Sequence, residues 1–163
     1  TATKSLIYHI LWRRSMLALE SIDPAITLVQ YLESDPKPAT RRSVVRSVAS
    51  LVLRMHGGGF YNRDLHGNNL LLRPDQPAAD PVLIDLHRVR RPRRLKHGMR
   101  ADDLARLNSS VRAPLRERLR FLYRYLAPDE RRAWRRWVDE IDRRTRRIWA
   151  LWARKNGEDI SKY

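Results

Sequence analysis

The stretch FYNRDLHGNNLLL, residues 60–72, sets Asp64, His66, Asn68 and Asn69 between two apolar patches. A turn accounts for Gly67 and one asparagine. It does not account for an aspartate five residues ahead of an asparagine that runs straight into three leucines. The chain has no cysteine, which excludes a thiolate centre, and its five scattered histidines lack zinc spacing. Any metal is therefore held by oxygens. A further carboxylate, Asp85, closes the apolar run 82–84.

Such residues must be held in place, and the flanking sequence indicates how. Two short apolar runs on either side of Asp23-Pro24 predict strands near 15–20 and 26–32, paired as a hairpin. After the proline-bearing linker 36–38, Thr40 can cap a helix whose apolar positions Val44, Val45, Val48, Leu51, Val52 and Met55 recur at helical spacing. Gly57, Gly58 and Gly59 end it, since glycine takes positive φ without steric cost. Beyond the polar cluster, residues 70–72 and 82–84 predict a small hairpin that carries Asp85 back beside Asn69. The segment 88–100, with seven lysines and arginines in thirteen residues, is expected to lie open to solvent. Helices follow, over ADDLARLNSSV, over LRERLRFLYRYL and from Pro128 onward, where Asp129 and Glu130 favour the helix dipole.

At 163 residues and 42% hydrophobic content the chain suits one folded domain with a substantial core. No run of about eighteen apolar residues and no secretory leader is visible. The first residue is Thr1 rather than methionine, as in a processed or partial chain. The formal charge of +16 comes almost entirely from arginine, with lysine only at 4, 37, 96, 155 and 162. An anionic partner is expected, because arginine forks onto phosphate oxygens. Nucleic acid, an anionic membrane and a phosphorylated substrate all meet that requirement.

NRDLHGNN resembles the catalytic loop of the protein-kinase-like fold, in which Arg-Asp-Leu leads to an asparagine five positions after the aspartate. LIDLH resembles that fold's metal-binding triplet, with Leu86 and His87 in place of the usual phenylalanine and glycine. MHGGGFYNRDLHGNNLLL, LIDLHRVR and RADDLARLNSSV are more specifically similar to the lipopolysaccharide core kinases, bacterial enzymes that phosphorylate Kdo or heptose sugars on the lipid A core. The resemblance covers roughly residues 25–126 and departs at Asn62, where many kinases have histidine.

The resemblance implies an α+β fold: a kinase-like C-terminal lobe, mainly helical with small β-hairpins, plus part of the N-terminal lobe. It divides the chain into an N-lobe remnant and hinge (1–33), a catalytic lobe (34–126) and a basic, Trp-rich helical extension (127–163). The implied activity is transfer of a phosphoryl group from ATP to an alcohol, with Asp64 as base, Arg63 beside it, and Asn69 and Asp85 as ligands of Mg²⁺. Gln30, Tyr31 and Leu32 are expected at the nucleotide hinge. Arg88, Arg90, Arg91, Arg93 and Arg94 are expected to meet the substrate, with His66 and Asp103 as structural supports. The implied partner is an anionic glycolipid, the lipid A core, approached by peripheral contact at the inner face of the inner membrane from the cytoplasm; nucleic acid is not the expected partner. Two other readings are another kinase of the same fold, with a protein or small-molecule acceptor, and a silent module that binds anionic lipid or nucleic acid. The fold's glycine-rich loop and strand lysine are not visible in the chain.

Overall fold

The computed structural model describes residues 22–157. Helices dominate, with two small sheets. Strand β1 (Ile26–Thr27) leads directly into helix α1 (Leu28–Glu33), and α2 (Pro38–Gly57) follows. The polar loop lies between β2 (Tyr61–Asn62) and β3 (Leu70–Leu72), with a short 3-10 turn at Gly67–Asn69. Next come β4 (Val82–Leu83), a 3-10 turn at Leu86–Arg88, and β5 (Val89–Arg90). The chain then forms α3 (His97–Ser110), α4 (Leu115–Tyr125), a 3-10 turn at Glu130–Ala133 and α5 (Trp134–Asn156).

Three sequence expectations are corrected. The predicted strand 26–32 survives only as β1, because Thr27 caps a helix: its Oγ1 accepts from the Gln30 N–H, and the Gln30 side chain accepts from the Thr27 N–H. This reciprocal capping box outweighs the β-branched character of the run. Its proposed partner near 15–20 lies outside the described residues. Helix α2 starts at Pro38 rather than at a Thr40 cap, since proline fits the first helical position, where no N–H is needed. The last long helix begins at Trp134, not Pro128, and Glu130 is drawn into a 3-10 turn by an ion pair described below.

The first sheet has the order β1-β3-β4 and is antiparallel throughout, pairing Ile26 with Leu72 and Leu70 with Leu83. The second joins β2 to β5, pairing Asn62 with Val89. Leu65, Leu70 and Leu72 are completely buried and tie the polar loop to the core made by α2, α3 and α4. Trp137 of α5 belongs to that same core, whereas Trp134 and Trp152 are exposed. Gly59 takes φ +82°, so the turn that leaves α2 needs a glycine there. No helix among the described residues is long and apolar enough to cross a membrane.

Candidate active site

The loop's own hydrogen bonds bring its polar residues together. The Asn69 side-chain amide donates to the Asp64 carbonyl at 3.1 Å, which leaves the Asn69 Oδ1 as the amide's free acceptor. The Ile84 N–H donates to the Asn69 carbonyl at 2.9 Å and extends the β3–β4 pairing to the residue beside Asp85. Asp85 itself takes the left-handed conformation, φ 56° and ψ 59°, a costly choice that aspartate tolerates better than most residues. Its Oδ1 is held by His87 Nδ1. Asp64 is half-buried, its N–H donates to the Asn62 Oδ1 at 3.0 Å, and its Oδ2 lies 3.9 Å from Arg88 Nε. Asp64, Asn69, Asp85 and Arg88 therefore share one site.

The remaining expected site residues fall in different places. Arg63 is exposed. Arg90 donates to the His87 and Val89 carbonyls, Arg91 lies over the Phe60 ring at 5.2 Å, and Arg93 and Arg94 are exposed. His66 accepts from the Asn68 N–H through Nδ1, and burial lowers its pKa against the opposing charge of Asp64. Gln30, Tyr31 and Leu32, expected at the nucleotide hinge, sit within α1. The Gln30 carbonyl accepts from the Ser34 N–H and the Leu32 carbonyl from the Asp35 N–H, and Tyr31 is buried.

Asp103 is fully buried at the heart of α3. Its Oδ2 accepts the Asn62 N–H at 2.7 Å and lies 3.1 Å from His56 Nε2. Sequence reasoning missed what lies beyond His56. The His56 Nδ1 is 2.7 Å from the Tyr125 hydroxyl, which accepts from Arg100 Nε at 2.5 Å, and Arg100 forks onto Glu130 at 2.7 and 3.1 Å. One order of protons satisfies every link: Arg100 donates to Tyr125, Tyr125 to His56 Nδ1, and Nε2–H to Asp103. Burial pushes both the Asp103 carboxyl and the Tyr125 phenol up, and the bonds from His56 and Asn62 oppose it at Asp103. The chain runs from the loop's first strand to the turn ahead of α5.

At the far end the Arg100 guanidinium holds Glu130 below the usual carboxylate range. That stabilisation is complete above the ordinary value of 4.5 and disappears as pH falls through the folded-state pKa. Glu130→Gln should therefore cost about 1 kcal/mol near neutrality, the pair being partly exposed. Thermal melts of variant and wild type should converge below pH 4.5, and a constant gap down to pH 2–3 would contradict the assignment.

A second support comes from Gly67, whose N–H donates to the Ser110 hydroxyl at 2.8 Å. A Cβ there would lie 2.7 Å from Val111 Cγ1 and 2.8 Å from Val29 Cγ2. Both neighbours are β-branched and cannot swing aside cheaply. Gly67→Ala is expected to destabilise the fold by about 1–3 kcal/mol, read as a lower denaturant midpoint with an unchanged slope. A wild-type midpoint would mean that α1 does not press on the loop.

A family model for the lipopolysaccharide kinase (Kdo/WaaP) family matches residues 7–125. The chain belongs to that family. The match begins earlier than the motifs alone suggest, and so takes in much of the segment ahead of α1. Among solved structures, WaaP in complex with acyl carrier protein superposes with a TM-score of 0.65 at 29% sequence identity, over 78% of this chain and 59% of its own. The Kdo/WaaP chain described here thus spans less than two thirds of that WaaP. No curated protein matches it. The mainly helical α+β architecture with small sheets agrees with the WaaP fold.

Within this Kdo/WaaP lobe the site's donors are the hard oxygens that Mg²⁺ takes, a carboxylate and an amide. Among the described residues no group of three or more His, Asp or Glu could form a metal cage.

Proposed function

We propose that the chain supplies the catalytic lobe of an ATP-dependent kinase that phosphorylates a sugar hydroxyl of the lipopolysaccharide core. The observation that carries the proposal is the convergence of Asp64, Asn69 and Asp85 through two specific hydrogen bonds, in a member of the Kdo/WaaP family. Asp64 orients the acceptor hydroxyl and takes its proton. Asn69 Oδ1 and Asp85 would hold Mg²⁺, and Mg²⁺-ATP would supply the phosphoryl group and neutralise its charge. His87 holds the Asp85 Oδ1, and the second carboxylate oxygen would be available to a metal ion. Arg88, 3.9 Å from Asp64, is placed to receive an anionic group of the acceptor, with Arg90, Arg91, Arg93 and Arg94 behind it. The acceptor is the lipid A core, so the enzyme works at the inner face of the inner membrane.

The proposal also sets what this stretch does alone. Charge stabilisation in phosphoryl transfer needs a phosphate-covering loop and a paired lysine as well as the metal. Lys37, just ahead of α2, is exposed, and Lys4 lies outside the described residues. Calorimetry on residues 1–163 should accordingly show weak Mg²⁺-ATP binding, with Kd well above the micromolar range. Micromolar affinity would mean that another cation of the chain, such as Arg88, replaces the lysine.

A further inference from the structure

Away from the catalytic loop, α2 and α4 enclose a groove that carries Arg42, Arg46, Arg116, Arg120, Arg124 and Arg131. No Asp or Glu among the described residues lines it, and of these arginines only Arg120 has a carboxylate partner, Glu117. Arg46 and Arg124 reach only serine hydroxyls, and Arg131 lies over the Tyr123 ring. So much like charge gathered around a single carboxylate partner costs stability through self-repulsion. An anionic partner would reverse that cost.

The outward face of α4 gives the partner's chemistry. Leu115, Leu119 and Tyr123 recur every fourth residue, and Arg116, Arg120 and Arg124 form the adjoining stripe at the same spacing. Leu115 and Tyr123 are 68% and 63% exposed, and Trp134, 42% exposed, stands at the end of the groove. An aliphatic and aromatic stripe beside an arginine stripe, both turned outward, matches a helix that lies in a membrane interface. Its aromatic rings sit at headgroup level, and its arginines fork onto lipid phosphates. Nucleic acid would use the arginines but has no use for the exposed Leu115.

We propose that the α2–α4 groove, with the outward face of α4 and Trp134, is a docking surface for an anionic phospholipid bilayer, separate from the basic segment 88–94. The inference rests on the proposed function only in that the enzyme's acceptor lies in a membrane. It assigns retention at the bilayer to a face built on the helical body of the lobe, and leaves the 88–94 segment to the acceptor.

Flotation of the 163-residue chain with phosphatidylcholine vesicles, with and without one third phosphatidylglycerol, is the test. Wild type should float only with the anionic vesicles, and less as salt rises to physiological strength. Arg42→Gln, Arg46→Gln, Arg116→Gln and Arg124→Gln together should weaken binding at least about tenfold, given the contribution of each charge near the surface. Leu115→Ser, Tyr123→Ser and Trp134→Ser together should weaken vesicle binding comparably while leaving retention of a duplex DNA oligomer unchanged. All the substituted positions are exposed and left out of the core, and circular dichroism verifies that the variants fold. Wild-type vesicle binding by either variant overturns the inference. So does DNA binding tighter than vesicle binding and lost in both variants, or loss of vesicle binding confined to a five-fold glutamine variant at Arg88, Arg90, Arg91, Arg93 and Arg94. Phosphotransfer by the complete enzyme to a detergent-dispersed acceptor needs no bilayer, so its failure would count against the proposed function alone.

Discussion

Asp64→Asn in the complete enzyme is expected to lower kcat by about 10²–10⁴-fold, the range that a positioned general base supplies. KM for ATP should change little. Asparagine keeps the shape of the side chain and leaves the Asp64 N–H bond to Asn62 and the carbonyl contact with Asn69 intact, because both use the backbone. The loss therefore falls on proton removal and acceptor alignment, interactions made on the way to the transition state. Arg88 would also lose its nearest carboxylate, so acceptor affinity need not fall and can rise. A variant with wild-type kcat at saturating ATP and acceptor would remove Asp64 from the chemistry.

The second large effect is on stability. Asp103→Ala strips a buried acceptor from both the Asn62 N–H and the His56 Nε2–H, while His56 Nδ1 keeps the Tyr125 hydroxyl. Leaving two buried donors without their acceptor costs about 1–3 kcal/mol each, and for a chain of this size the sum corresponds to a fall in Tm on the order of 10 °C. The neighbouring Asp102→Ala is the control: it removes only an exposed pair with Arg144 and should shift Tm by no more than a degree or two. If the two variants melt together, Asp103 does not brace the loop. If Asp103→Ala also loses activity below its melting temperature, the brace positions the site as well as the fold.

Much of this site was legible because its residues are close in sequence. Asp64 and Asn69 are separated by a single turn, and the two apolar runs after them could only pair, which returns Asp85 to Asn69. The glycine break after α2 was legible too, since Gly59 requires the conformation that glycine permits. The helix at α1 was misread for a physical reason. Ile26, Thr27 and Val29 favour a strand, and the competing signal, a threonine three residues before a glutamine, is worth more at a chain reversal than β-propensity is. Tyr125, Arg100 and Glu130 could not be found from spacing at all. Their hydrogen bonds join positions 25 to 69 residues apart, and only the packing of α2, α3 and α4 brings them into line. The basic groove was hidden for the same reason: its arginines come from α2, from α4 and from the 3-10 turn at Glu130–Ala133, with the whole catalytic loop between the first two.

The central claim is that Asp64 and Asp85 together perform phosphoryl transfer to a lipopolysaccharide core sugar. Its most direct test follows the γ-phosphate of labelled ATP into purified core glycolipid, with the complete wild-type enzyme beside a folded Asp64→Asn, Asp85→Asn double variant. The account predicts incorporation into a sugar by wild type, and by the double variant a rate at or near background. Equal incorporation by both proteins would contradict it.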